Sequence, residues 1–291
     1  MKFVTIARNG TTSVGRLADD DSSVELLANG SGKTFSTLAD LICSQEDVEP
    51  TGEVFALEDT VIKAPIPRPA RNIFCVGKNY ADHAVEFTDS GFDSSKQENA
   101  VPSAPIVFSK VPECVIAHRD QVRVDPKVSD CIDYEAELCV IIGRQGRSIS
   151  KKDAMNYVWG YTIVNDITSR DLQKVHSQWL IGKSLDTFCP MGPVAVSKDD
   201  VDLNNTALNC WVNDELRQSA NTIDLVFDVP TLIETLSAGI TLYPGDLIAT
   251  GTPAGVGVGF SPPKYLKPGD IVRIEIDNIG VLENRIVNWD D

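Results

Sequence analysis

Histidine is scarce in this chain: His83, His118 and His176 are the only three among 291 residues. No two of them stand four apart, which excludes a helical H-x-x-x-H zinc site. The seven cysteines (Cys43, Cys75, Cys114, Cys131, Cys139, Cys189 and Cys210) are odd in number and scattered, and no C-x-x-C occurs. Zinc ribbons and thioredoxin-type redox sites are therefore unsupported. Cysteines inside apolar runs, such as Ile73-Phe74-Cys75-Val76, read as small core residues. No apolar run approaches the roughly 18–20 residues of a membrane span. Basic residues are outnumbered, 26 Lys and Arg against 42 Asp and Glu, for a net charge of -16. Such a chain repels phosphate backbones and anionic lipid, so neither nucleic acid nor a membrane is an expected partner. The first eight residues read as a strand rather than a signal or transit peptide, and a cytoplasmic location is expected.

What is present fits one large domain and a small one. Residues 1–67 read as short strands between polar turns, with a short helix at 34–43 whose apolar side is Leu38, Leu41 and Ile42. Pro65, Pro67 and Pro69 then enforce an extended segment. The predicted division is a small N-terminal β-rich domain, 1–67, and a larger domain, 68–291. In the larger domain, residues 72–77, 106–110, 134–143, 158–166, 208–213, 247–251 and 271–276 read as strands. Helices are few, at 150–156, 168–178 and 228–237. Many strands with few, irregularly placed helices argue against regular βαβ alternation. The expected fold class is mainly β with α+β elements. Residues 88–102, TDSGFDSSKQENAVP, carry little periodicity and read as a lid, a binding loop or a surface loop.

The chemistry concentrates in a few places. In a strand at 134–143, Glu135 and Glu137 share a face and run into apolar sequence. Two carboxylates there call for a compensating cation, and oxygen donors suit Mg²⁺, Mn²⁺ or Ca²⁺. A solvated strand start is the competing reading. Asp166 ends a second apolar strand, where a carboxylate can face a pocket. Arg170 and Gln173 follow on a helix start, three apart and on one face, able to present a cation and an amide to an anion. A surface ion pair of Arg170 with Asp171 or Asp166 is the alternative. His83 and Glu86 are also three apart; a carboxylate that holds an imidazole orients a general base, and an incidental surface pair is the other reading. Lys183 follows a mostly apolar run. The glycine-rich stretch 250–259 could cradle an anion, but it is not a Walker A sequence and no helix follows it.

Five segments together resemble the fumarylacetoacetate hydrolase family in its short, acylpyruvase-like form: CVGKNYADH at 75–83, DYEAEL at 133–138, NDITSRDLQ at 165–173, GKSLDTFCP at 182–190 and GDLIATGTPAGVG at 245–257. They span about residues 70 to 290 in the family's order. The resemblance implies a mixed β-roll and a homodimer. It implies one Mg²⁺ or Mn²⁺ per subunit on Glu135, Glu137 and Asp166. It implies a catalytic set of His83, Glu86 and Lys183, with Arg170, Gln173, Thr252 and Tyr80 around a small 2-keto or 2,4-diketo acid. The His83–Glu86 segment, about 82–102, is expected to order over the site when substrate binds. The activity expected is carbon–carbon hydrolysis of an acylpyruvate-type substrate to pyruvate and an acid. Oxaloacetate decarboxylation or a hydroxymuconate-type isomerisation or hydration is the alternative, and a non-catalytic member of the fold the remote one. Truncating Glu135 to alanine is expected to abolish activity and to relieve like-charge repulsion.

Overall fold

The computed structural model describes residues 1–44, 47–93 and 99–291. Two sheets make up the body, one of twelve strands and one of five, with a further two-stranded pair beside them. The larger sheet begins with Val48–Ala56, Ser23–Asn29, Thr11–Leu17 and Lys2–Arg8. It continues through Cys189–Ser197, Val158–Asn165, Ala136–Ile142, Leu247–Ala249, Ile73–Gly77 and Ile106–Lys110. The step between the two groups is the antiparallel pairing of Lys2 with Val196 and Phe3 with Ala195. The division proposed at residue 67 falls in the irregular stretch between Val61–Lys63 and Ile73–Gly77, and the sheet passes across it. The mainly β, mixed-sheet class expected from the strand count is the class observed.

The central strand Ala136–Ile142 is buried on both faces. Leu138, Val140 and Ile142 enter one core, while Cys139 and Ile141 enter the other. A strand covered on both sides needs a continuous apolar run, and this one has it except at Glu137. Each fully buried leucine or isoleucine contributes about 1.5–3 kcal/mol, so the register is held firmly around that single acidic exception. The register pairs Glu137 with Val164 and Ala136 with Asn165.

The strand expected over 134–143 is split. Ile132–Asp133 pairs with Thr168–Ser169, and the main strand starts only at Ala136. Between them the ladder is replaced by other bonds: Glu135 N–H donates to the Asn165 side-chain oxygen at 3.1 Å, and Asp166 N–H donates to the Glu135 carbonyl at 2.9 Å. The helix expected at 168–178 is shorter, Arg170–Val175, because Thr168 and Ser169 are taken up in that pairing. The segment expected as a helix at 150–156 is a 3₁₀ helix, Lys151–Tyr157. Cys189–Ser197 is a strand despite Pro190 and Pro193. A register shift against its neighbour, between Tyr161 and Ile163, accommodates the missing donors. Of the aperiodic segment, Thr88 and Asp89 complete the helix Ala81–Asp89. Residues 94–98, in the middle of the expected lid, lie outside the described residues. No helix among the described residues is long and apolar enough to cross a membrane.

Candidate active site

The sheet register brings three carboxylates to one point. Glu135, Glu137 and Asp166 are all buried, and one oxygen of each lies within 4.8 Å of the other two. Oxygens bound about 2.0–2.6 Å from one ion lie at most about 4–5 Å apart, so this separation is compatible with a single divalent cation. Hard oxygen donors without sulfur or imidazole suit Mg²⁺, Mn²⁺ or Ca²⁺.

Buried cations already face this cluster. The Lys183 ammonium lies 2.6 Å from Glu135 Oε2 and 2.7 Å from Asp166 Oδ2. Arg170 Nη1 is 2.7 Å from Glu135 Oε1, and Arg170 Nε donates to Asp133 Oδ2 at 2.8 Å. Lys110 Nζ lies 2.7 Å from Asp166 Oδ1. Four buried carboxylates (Asp133, Glu135, Glu137, Asp166) thus meet three buried cations (Lys110, Arg170, Lys183). Glu137 is the one left without a cationic partner among the described residues; it accepts the Gly251 N–H at 2.9 Å.

The two glutamates respond in opposite directions. Burial works against ionisation of Glu135, but the Lys183 and Arg170 charges outweigh it and pull its carboxyl down to about 2. Burial, then the charges of Asp166 and Glu135, push the Glu137 carboxyl well above its ordinary range. The repulsion expected to be relieved by removing Glu135 therefore resides at Glu137. Alanine at 135 would instead strip a partner from two buried cations.

Helix Ala81–Asp89 carries His83 and Glu86 one turn apart, with His83 Nδ1 3.3 Å from Glu86 Oε2. The Glu86 carboxylate also accepts the Gly255 N–H at 3.0 and 3.2 Å. Gly259 packs directly against that carboxylate, so a β-carbon there would displace it. The glycine-rich stretch thus receives a side-chain carboxylate and seats the helix. Replacing Gly259 by alanine is expected to break this seating and lower turnover about tenfold or more; unchanged kcat in steady-state assays would refute it.

Arg170 is not a surface residue. It is buried and pairs with Asp133 and Glu135, while Asp171 is held by Ser129 and Ser169. Arg170 Nη1 also donates to Gln173 Oε1 at 3.2 Å, and Thr252 Oγ1 accepts from the Gln218 side chain at 2.7 Å. Lys183, which follows a mostly apolar run, sits buried at the end of a short helix, Leu180–Lys183.

A narrow cavity of about 10 Å³ joins these groups. Its polar wall holds Lys78, His83, Glu135, Glu137, Arg170, Gln173, Lys183 and Thr252; its apolar wall is Val76, Phe87, Phe108 and Trp179. Among the described residues, Arg170 Nη2 is buried with no hydrogen-bond partner, as is the Tyr80 hydroxyl, although Tyr80 does not line the cavity. An orphaned buried donor is costly, and Arg170 Nη2 belongs to a cavity-lining side chain.

Two charged residues escaped the sequence reading. Asp133 anchors Arg170 and accepts the N–H groups of Gly257 at 2.6 Å and Val258 at 3.0 Å. Its signal was the alternation Asp133, Glu135, Glu137. Lys110 ends an apolar strand, as Asp166 does, and the same strand-end criterion would have found it.

Comparison with known proteins gives the chain's relatives. The family model described as fumarylacetoacetate (FAA) hydrolase C-terminal matches residues 72–287. The chain is 52% identical to the Bacillus subtilis (strain 168) oxaloacetate tautomerase YisK over 234 residues, 80% of this chain and 75% of that protein. It is 43% identical to a mitochondrial oxaloacetate tautomerase of Bos taurus over 267 residues, 91% of this chain and 79% of that protein. Its structure is similar to that of a fumarylacetoacetate hydrolase from Exiguobacterium antarcticum, with a TM-score of 0.84, 35% identity and 99% of each chain covered.

Proposed function

The chain belongs to the fumarylacetoacetate hydrolase family, and from that premise we propose that it is an oxaloacetate tautomerase, interconverting the enol and keto forms of this four-carbon 2-keto dicarboxylic acid. The observation that carries the reading is Arg170, whose Nη2 has no hydrogen-bond partner among the described residues, standing beside the buried acidic triad along one narrow cavity. Its lining of Lys78, Arg170, Gln173 and Lys183 suits an anion, and the similarity to proteins named oxaloacetate tautomerases suggests which one. Glu135, Glu137 and Asp166 would hold one Mg²⁺ or Mn²⁺, which when bound supplies Lewis-acid stabilisation of an enolate.

The remaining work falls to the chain's own side chains. Arg170 and Gln173 bind the substrate carboxylate, Arg170 through the donor that has no partner among the described residues. Thr252 is assigned to orienting the bound acid, a role that Tyr80, which does not line the cavity, does not share. Ketonisation removes the enol hydroxyl proton and adds a proton to the neighbouring carbon, so no water is consumed and nothing is oxidised or reduced. With Nδ1–H donated to Glu86, His83 has Nε2 free to carry that proton. Lys183 offsets negative charge as it develops on the substrate oxygen. Phe87, Phe108 and Trp179 keep water away from the enolate.

Carbon–carbon hydrolysis of a 2,4-diketo acid is the second reading, favoured by the His83–Glu86 pair, which is also the arrangement needed to activate water. One panel separates the two. Enol-oxaloacetate, an acylpyruvate and fumarylpyruvate are each incubated with the protein and Mg²⁺ or Mn²⁺, and products are read by NMR. Accelerated enol-to-keto conversion without pyruvate release is the expected outcome. Pyruvate from oxaloacetate would make the chain a decarboxylase, and cleavage of the acylpyruvate would make it a hydrolase. A homodimer and a cytoplasmic location complete the proposal.

A further inference from the structure

We infer that Lys110 is a positioning residue that commits one oxygen of Asp166 and so tunes the acidic triad for a small octahedral cation over calcium. The inference rests on the reading of Glu135, Glu137 and Asp166 as a cation site. Lys110 is wholly buried and does not line the cavity, so it touches no substrate. Its ammonium has three N–H donors and three acceptors around it: Asp166 Oδ1 at 2.7 Å, the Ile167 carbonyl at 3.1 Å and the Lys183 carbonyl. Every donor is used, and each acceptor belongs to a segment that carries a residue of the site.

Two consequences follow. The first concerns Asp166. Its Oδ1 is engaged by an ammonium that does not line the cavity, whereas Oδ2 meets Lys183, which does. A carboxylate with one oxygen so committed offers the other singly. Ca²⁺ takes six to eight oxygens and readily accepts two from one carboxylate, whereas Mg²⁺ and octahedral Mn²⁺ want six single donors at shorter range. The second concerns Lys183. Its backbone carbonyl is tied to the same ammonium as Asp166, so the residue that faces the triad is held in register with one of the triad's own members. Burying a lysine that contacts no ligand is expensive. Neutralising Asp166 alone does not require the two backbone bonds, which serve orientation.

The test uses the full chain, stripped with chelator, and isothermal titration with Mn²⁺ and separately with Ca²⁺. Lys110→Met removes the ammonium and keeps the bulk. The expected result is a Mn²⁺ affinity lowered about 10–100-fold, the usual cost of losing a group that orients a metal ligand, with Ca²⁺ affinity much less changed. Affinities for both ions within about twofold of the parent, or lowered in equal proportion, would overturn the inference, even with a reduced melting temperature. If the parent chain itself takes up no Mn²⁺, the cation-site reading fails and this inference with it. Should Lys110→Met not fold, Lys110→Gln, which keeps a hydrogen bond to Asp166 without the charge, is titrated in its place. Failure of both variants to fold at any Mn²⁺ concentration would assign Lys110 to the fold and equally overturn the inference.

Discussion

Lys183→Met is expected to lower the melting temperature of the chelator-treated protein by roughly 6–20 °C and to abolish the proposed tautomerase activity. Lys183 lies within 2.7 Å of both Glu135 and Asp166, all three being buried. Methionine leaves the two carboxylates facing each other with less compensation, and breaking a buried pair in this way costs about 3–5 kcal/mol. At about 2–4 °C per kcal/mol for a large domain, that gives the shift stated. The pH dependence has a definite sign. Glu135 is held at about 2 against an ordinary 4.5, so its contribution is complete above that ordinary value and is lost as the pH falls toward 2. The gap between parent and variant should therefore narrow as the pH is lowered below about 4.5. Added Mn²⁺ should recover more melting temperature in the variant than in the parent, because the ion replaces the missing positive charge. Differential scanning calorimetry with and without Mn²⁺ measures all three effects. A variant as stable as its parent without metal would mean that Lys183 does not neutralise the triad.

Glu137→Gln should do the opposite to stability and the same to activity. Glu137 is the buried carboxylate that has no cationic partner among the described residues and whose ionisation is suppressed. Glutamine keeps an oxygen for the Gly251 N–H and removes the charge. Removing a charge whose burial is this unfavourable is expected to raise the metal-free melting temperature at neutral pH. Because the folded-state pKa is raised, the native protein binds the proton more tightly than the unfolded chain. Its stability falls as pH rises from the ordinary carboxylate range toward the folded-state value. The gain from glutamine is accordingly absent in acid and grows with pH. With one anionic donor gone, activity at a fixed Mn²⁺ concentration should fall on the order of 10²–10³-fold. A lower metal-free melting temperature at neutral pH would show that Glu137 is ionised and compensated in the folded protein.

Together the two variants separate a site built for a metal from one built for rigidity. A purely structural cluster would be weakened by removing either member. A cluster waiting for a cation is strained by its surplus negative charge and eased when that charge is removed.

The period of two along residues 134–143 was enough to place Glu135 and Glu137 on one side. Spacing of three was enough to put His83 beside Glu86 and Arg170 beside Gln173. These are short-range facts, because side-chain direction repeats with the backbone and needs no partner segment. The apolar content of the same strands likewise determined that they would be buried. Which carboxylate is paired and which is stranded was decided elsewhere. Lys110 reaches Asp166 across 56 residues of sequence, Lys183 reaches Glu135 across 48, and Asp133 reaches Gly257 across 124. Such meetings depend on sheet register and on how the loops close, and no local window encodes them. Charge balance is a property of the whole buried cluster, so the opposite behaviour of Glu135 and Glu137, two residues apart on one face, emerges only when the distant cations are folded against them.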